Sequence, residues 1–219
     1  MLNNSSVGKN FDLHISRIIY NISLKNLDVM LLVSQNIGNY DIGLPNDAVF
    51  RINLAWCNSI KELEEKLSNN KESDFFIDLP VGRIKPPNNK YTLDDMIPII
   101  KAHSNVKFFA VSNVESKNDL IEFLEKLPDS INIIPKIESQ NAVQNIDEIC
   151  NALKTEKKIV MLDHDDLFSS IVRNKENKDN FQDYIKKLVN YCQENNIELL
   201  RTVGVVFSDD EKRITQYEK

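Results

Sequence analysis

Short apolar runs alternate along the chain with longer segments of helical periodicity. The runs are rich in Val, Ile, Leu and Phe, which is typical of strands buried on both faces of a parallel sheet. Between them, apolar residues recur three or four positions apart, as in SIKELEEKL (59–67), where Ser59 is a good N-cap. This alternation predicts parallel βαβ units and therefore an α/β domain. The predicted strands lie at 28–37, 47–56, 74–80, 106–114, 131–139, 159–167 and 197–207.

These seven strands are one fewer than a closed TIM-type (β/α)8 barrel requires. We expect a small barrel of this type and leave the source of an eighth strand open. Residues 11–23 fit both a strand and a helix, so the eighth strand could come from them, from a partner chain, or from neither. Residues 1–10 are polar and predicted to be disordered, and residues 11–219 are predicted to form one domain.

Residues suited to catalysis concentrate in two neighbouring predicted strands, 131–139 and 159–167, joined by a helical segment that begins at Ser139. Lys136 and Glu138 are two positions apart, so both side chains leave the same face of the first strand. The carboxyl ends of barrel strands are where barrel enzymes carry their catalytic groups. Carboxylates on neighbouring parallel strands can share one hard divalent cation at that end. The second strand is expected to deliver three of them: Asp163, Asp165 and Asp166.

Composition narrows the classes of partner. The net charge of −6 disfavours non-specific binding to nucleic acid or to anionic membranes. The chain has no eighteen-residue apolar run and no apolar signal-peptide core, and its three cysteines show no metal or redox spacing. Only five glycines occur, and no phosphate-binding glycine loop is present. We therefore expect a cytoplasmic protein whose partner is a small molecule.

The segments PKIESQNAVQNIDEI (135–149) and IVMLDHDDL (159–167) resemble the lysine–glutamate strand, the following helix and the Gly-Asp-Leu strand of pyruvate kinase. More distantly, they resemble the other phosphoenolpyruvate/pyruvate barrels, including the HpcH/HpaI aldolase and citrate lyase relatives. The resemblance implies a catalytic domain without lid and C-terminal domains. It implies that Lys136 is the catalytic lysine and that Glu138 and Asp166 bind Mg²⁺ or Mn²⁺.

The resemblance continues through FRINLAW (50–56), FFIDLPVGRIK (75–85) and FFAVSNV (108–114), in the order of the pyruvate kinase strands. Arg51 matches the arginine that reaches the transferred phosphoryl group, and Thr202 stands where the seventh strand carries an active-site threonine. These two residues join Lys136 as implied catalytic residues. The implied substrate-binding residues are Asn53 and Asp78, which match monovalent-cation ligands, Lys85, which replaces an arginine, and Ser112.

Several positions depart from the pyruvate kinase pattern. Ala55 and Trp56 replace a serine ligand of potassium and the histidine after it, so the potassium site is expected to be lost. Asp165 stands in place of a glycine and His164 in place of an arginine, and both changes weaken attraction for an anionic substrate. Only five residues separate Lys85 from Tyr91, where pyruvate kinases insert a lid domain, and the regulatory domain is expected to be absent too. We therefore do not expect ordinary pyruvate kinase activity.

The sequence-based hypothesis is a divalent-metal-dependent enzyme that acts on a small 2-oxoacid or phosphoenolpyruvate-type carboxylate through an enolate. Carbon–carbon lyase chemistry is favoured over phosphoryl transfer. The alternative is a non-catalytic barrel that serves as a binding or assembly module, and a partial barrel completed by a second copy would be a homo-oligomer. In that alternative, Lys136 with Glu138 and Arg51 with Asp78 would be structural ion pairs.

Smaller alternatives concern single residues. Asp165 is the alternative to Asp166 as metal ligand, and His164 is expected to be a loop residue rather than a base. Trp56 and Cys57 are expected to be packing residues.

Overall fold

The computed structural model describes residues 32–34, 49–82 and 89–201, with only the backbone described at 32–34. The predicted disordered N-terminus, segment 11–23, Lys85 and Thr202 lie outside these residues. Within them, seven parallel strands pair in chain order, which confirms the predicted α/β architecture and strand order. The strands are β1 (Leu32–Ser34), β2 (Val49–Asn53), β3 (Asp74–Leu79), β4 (Val106–Val111), β5 (Asn132–Ile137), β6 (Ile159–Leu162) and β7 (Glu198–Arg201).

The sheet is curled as in a TIM-type barrel, although the described residues do not form a complete eight-stranded barrel. In the described ranges, seven α-helices connect or follow these strands, together with two 3-10 turns. The helices are α1 (Ile60–Asn69), α2 (Leu93–Ala102), α3 (Ile121–Lys126), α4 (Gln140–Gln144), α5 (Ile146–Ala152), α6 (His164–Arg173) and α7 (Asn180–Glu194). The 3-10 turns span Leu54–Trp56 and Lys117–Leu120.

Local capping explains where several helices begin. The Ser59 hydroxyl accepts a hydrogen bond from the backbone N–H of Glu62 at 3.1 Å, and Thr92 and Asp95 form a reciprocal capping box at the start of α2. Ser139 begins α4 as predicted. The predicted continuous helix after Ser139 is nevertheless divided, because α4 ends at Gln144 and α5 begins at Ile146.

The end of β6 differs from the sequence-based prediction. The strand stops at Leu162, and Asp163 is the N-cap of α6, accepting a hydrogen bond from the Asp166 backbone N–H at 3.3 Å. Asp165 and Asp166 therefore lie in the first helical turn and not on the strand. Carboxylates are favourable at this place because the N-terminal end of a helix carries partial positive charge. The helix itself was not predicted.

The two faces of the sheet bury different sets of apolar side chains. The outer face packs against the helices and contains Phe75, Ile77 and Phe109, all at most 1% exposed. The inner face holds a smaller apolar cluster near the amino ends of the strands, which includes Phe76 and Ile134 at 0% exposure. Alternation along each strand separates these two sets.

The two residues expected to be packing residues, Trp56 and Cys57, differ in burial at the 3-10 turn after β2. Cys57 is 3% exposed, as predicted, whereas Trp56 is 68% exposed, so the prediction for Trp56 was wrong. The chain turns at Leu54–Trp56, and this turn buries Leu54 and Ala55 while directing the Trp56 side chain toward solvent.

Candidate active site at the carboxyl end of the sheet

The inner face of the sheet changes character along each strand. Asp78 lies two positions after Phe76, and Lys136 lies two positions after Ile134. A spacing of two residues keeps both members of each pair on the same face of the sheet. The apolar residues lie toward the amino ends of the strands and the polar residues toward the carboxyl ends. The inward-facing polar residues of this carboxyl end are Arg51, Asp78, Ser112, Lys136, Glu138 and Asp163, and we refer to them as the charged layer.

Lys136 lies at the centre of the charged layer and is 5% exposed. Its Nζ atom is 2.6 Å from Glu138 Oε1 and donates a hydrogen bond to Ser112 Oγ at 3.2 Å. Two further carboxylate oxygens are close to Nζ: Asp163 Oδ2 at 3.7 Å and Asp78 Oδ2 at 3.8 Å. The fold therefore gathers side chains from β3, β4, β5 and the end of β6 around one ammonium group.

Arg51 and Asp78 form an ion pair at the same end of the sheet. The Arg51 Nε atom donates to Asp78 Oδ2 at 3.0 Å, and Nη2 also binds that oxygen. Asp78 is fully buried, and its other oxygen, Oδ1, has no hydrogen-bond partner among the described residues. One carboxylate oxygen thus lies between two cations, Arg51 and Lys136, and links them into one buried network.

Asn113 holds Glu138 from the neighbouring strand. Its backbone N–H donates to Glu138 Oε2 at 2.6 Å, and its Nδ2 donates to the Val81 carbonyl at 2.5 Å. Asn113 adopts a left-handed conformation with φ of 55°, which asparagine tolerates better than most residues. At Gly82, where φ is also positive, an added Cβ would lie 3.2 Å from Asn113 Nδ2. Sequence reasoning missed Asn113 because a single asparagine after a strand carries no distinctive motif.

Three carboxylates of this region are placed to share a cation. Glu138, Asp163 and Asp166 can each offer one oxygen, and these oxygens all lie within 4.8 Å of one another. Such an all-oxygen donor set suits a hard divalent cation such as Mg²⁺ or Mn²⁺. The prediction had paired Glu138 with Asp166 and had not assigned Asp163 as a ligand. Asp165 is exposed and does not belong to this group.

The electrostatics of the charged layer also favour a cation. Burial by itself lowers the pKa of Lys136, but the carboxylates of Asp78, Glu138 and Asp163 raise it above its usual value. Burial raises the pKa of Glu138, and Asp163 adds to this rise against the opposing effect of Lys136. The rise at Lys136 therefore comes from the three carboxylates around it, whereas the rise at Glu138 comes chiefly from burial. The residues present therefore fit a divalent cation by donor chemistry and by charge.

The remaining predicted residues lie in different surroundings. Asn53 Oδ1 accepts a hydrogen bond from the Ala55 backbone N–H at 2.9 Å and caps the 3-10 turn. His164 is 1% exposed at the start of α6, which differs from the expected loop position. Lys85 and Thr202 fall outside the described residues, so their predicted roles stay predictions.

A cleft lined by both apolar and polar residues lies at the other end of the sheet. It is lined by residues such as Phe123, Leu127 and Leu153, beside the amino end of β5. The charged layer does not contribute to its lining, and we therefore place the candidate active site at the carboxyl end.

Comparison with known proteins identifies the family. A family model described as HpcH/HpaI aldolase/citrate lyase matches residues 79–218, so the chain belongs to this family of aldolases and lyases. The sequence motifs resemble this family more distantly than they resemble pyruvate kinase, and the pyruvate kinase likeness stays a resemblance. No curated protein matches the chain significantly. No helix in the described part of the chain is long and apolar enough to cross a membrane.

A solved structure supports the fold. The structure titled "Crystal Structure of RipC from Yersinia pestis" aligns over 86% of this chain and 84% of that chain, with a TM-score of 0.55 and 14% sequence identity. At this identity the likeness concerns the fold alone.

Proposed function

We propose that this member of the HpcH/HpaI aldolase/citrate lyase family is a divalent-metal-dependent lyase that acts on a small 2-oxoacid or phosphoenolpyruvate-type carboxylate through an enolate. The observation that carries the proposal is the placement of the Lys136 ammonium among buried carboxylates, 2.6 Å from Glu138, which itself belongs to the group of three possible metal ligands. A bound divalent cation and a buried hydrogen-bond donor are two groups that stabilise an enolate.

The roles divide among neighbouring residues. Glu138, Asp163 and Asp166 would hold Mg²⁺ or Mn²⁺, which when bound would supply Lewis-acid polarisation of the substrate carbonyl. Lys136 acts as a hydrogen-bond donor to the oxygen that gains negative charge, since its raised pKa keeps it protonated. Arg51, held by Asp78, supplies positive charge toward an anionic group of the substrate.

Carbon–carbon bond cleavage or formation is the reaction class that we favour. The positions that match potassium ligands of pyruvate kinase are altered or engaged, because Ala55 replaces a serine and the Asn53 side chain caps a turn. Phosphoryl transfer also requires a nucleotide to be clamped away from water. The family description, which names aldolases and lyases, agrees with this preference.

A non-catalytic binding module is the second candidate function. Its supporting observation is that Arg51 is paired with Asp78 and Lys136 with Glu138, as expected for structural ion pairs. A catalytic lysine is also oriented by carboxylates, so only ligand binding separates the two candidates. Homo-oligomerisation that completes the barrel stays a prediction, which size-exclusion chromatography with light scattering would test.

The test is isothermal titration with Mn²⁺, with and without oxalate, which imitates the enolate of pyruvate. We expect Mn²⁺ binding by the wild type, oxalate binding that depends on Mn²⁺, and loss of both in Glu138→Gln. The matched control is Asp165→Asn, which removes an exposed carboxylate directly before Asp166 in the chain and should leave both affinities unchanged. If the folded wild type bound neither Mn²⁺ nor oxalate, the enzyme proposal would fail and the binding-module candidate would replace it.

A further inference from the structure

A buried amide lies immediately behind the proposed metal ligands. Gln140 is the first residue of α4, two positions after Glu138, and it is 2% exposed. Its Oε1 accepts hydrogen bonds from Ser170 Oγ at 2.6 Å and from Asn174 Nδ2 at 3.4 Å, and its Nε2 donates to Glu176 Oε1 at 3.1 Å. Both ends of the amide are therefore satisfied, as burial of a polar group requires.

These hydrogen bonds join separate elements. Ser170 lies on α6, the helix that has Asp163 as its N-cap and Asp166 in its first turn. Glu176 follows α6 and accepts a second hydrogen bond, from the Tyr184 hydroxyl of α7 at 2.9 Å. Gln140 thus links the segment that follows Glu138 to α6 and, through Glu176, to α7.

The sheet already positions one of the metal ligands without this link. The Asp163 backbone N–H donates to the Ile137 carbonyl at 3.2 Å, so the pairing of β5 with β6 fixes Asp163 relative to the segment that carries Glu138. Asp166 lies beyond the strand, in α6, and its distance from Glu138 depends on how α6 sits against α4. Apolar packing of α6 is not directional, whereas a hydrogen bond constrains distance and angle.

We propose that Gln140 is a positioning residue that clamps α6 to the segment after Glu138 and thereby sets the spacing of the Glu138 and Asp166 carboxylates. This inference rests on the proposed function, because it concerns the same metal site. Residues that orient metal ligands without touching the metal commonly control affinity.

The first test compares Mn²⁺ affinity in two matched variants, Gln140→Leu and Asn105→Leu. Asn105 is also a buried amide, and its Nδ2 donates to the Leu67 and Asn70 carbonyls at 3.1 Å each, near the amino end of β4. Both changes remove a buried amide, so both should lower stability, but only Gln140→Leu should weaken Mn²⁺ binding, by about tenfold. The titrations are made at a temperature at which both variants are folded by circular dichroism.

A double variant that exchanges the amide and the carboxylate between the two positions should restore Mn²⁺ affinity. In Gln140→Glu/Glu176→Gln, the carboxylate at position 140 accepts hydrogen bonds from Ser170, from Asn174 and from the amide N–H at position 176. The amide oxygen at position 176 accepts the hydrogen bond from Tyr184. Every hydrogen bond of the clamp has a counterpart, so Mn²⁺ affinity should return to within about threefold of wild type. Gln140→Glu alone places two carboxylates against each other and should not restore the affinity, although it carries the same new charge near the site.

A double-mutant cycle separates positioning from general loosening of the structure. The effect of Gln140→Leu should disappear in an Asp166→Asn background and persist in an Asp163→Asn background. Wild-type Mn²⁺ affinity in Gln140→Leu, or the same loss in the Asp166→Asn background, would overturn the clamp and leave the proposed metal site intact. If the wild type bound no Mn²⁺, the metal site and the clamp would both be wrong.

Discussion

The inner face of the sheet contains two layers built from the same strands. We refer to the inward-facing apolar residues near the amino ends as the apolar layer and compare it with the charged layer. The apolar layer consists of Val49, Phe76, Phe108, Ala110, Ile134, Ile159 and Met161. Both layers lie in the interior of the sheet. Burial of the apolar layer is favourable, whereas burial of the charged layer is unfavourable because removing charges from water costs more than their pairing usually returns.

Stability alone therefore does not account for the presence of the charged layer. Apolar residues of similar volume would often stabilise a protein as well as a buried ion-pair network does. Toward the carboxyl ends of the same strands, the chain nevertheless carries a lysine, an arginine and several carboxylates, and one oxygen of Asp78 has no hydrogen-bond partner in the described structure. The ligand-binding role proposed above would account for this choice, and the changes below test it.

The largest expected effect is in the apolar layer, with Phe76→Ala. Phe76 is 0% exposed, so the substitution leaves a cavity and should lower the free energy of unfolding by about 3–5 kcal/mol, measured by urea denaturation. Phe76→Leu is the control and should cost less. Mn²⁺ affinity of the folded protein should not change, and a loss of stability well below this range would mean that the layer is loosely packed.

The second effect concerns the ion pair of the charged layer. Asp78→Asn leaves Arg51 without its carboxylate and should lower the free energy of unfolding by about 3 kcal/mol in metal-free buffer. The double change Arg51→Met/Asp78→Leu removes both charges and should recover much of this loss of stability. Oxalate binding should be weakened in the double variant, because it lacks the Arg51 charge. A double variant no more stable than Asp78→Asn would contradict the idea that this layer is poorly optimised for stability.

The third effect distinguishes the neighbouring carboxylates of α6. Asp166→Asn removes a proposed ligand and should weaken Mn²⁺ binding by at least about tenfold, whereas Asp165→Asn should change it less than about twofold. Calorimetric titration of both variants measures the contrast. Equal effects would show that the general negative charge of the helix start, and not a specific ligand, attracts the cation.

The smallest effect is expected outside both layers, at Trp56. Because this side chain is 68% exposed, Trp56→Ala should change the free energy of unfolding by less than about 0.5 kcal/mol. Leu54→Ala, in the same turn at 1% exposure, should cost about 2–4 kcal/mol and serves as the contrast. Urea denaturation of the two variants decides whether the turn is held by Leu54 alone.

Local patterns account for what could be predicted. Apolar runs predicted all seven described strands, and the two-residue spacing of Lys136 and Glu138 predicted that both would face the same side. The helix His164–Arg173 was missed because its first turn, Asp-His-Asp-Asp, directly follows an apolar run and was interpreted as the end of the strand.

Tertiary structure decided which polar groups meet. That Asp163 joins Lys136, that Asp78 lies between two cations, and that Gln140 is buried all depend on the register of neighbouring strands and on the packing of α6. Short-range periodicity in the sequence indicates where the strands lie along the chain and which residues of one strand share a face. Only the curled sheet decided the charged layer, because its contacts join residues far apart in the chain.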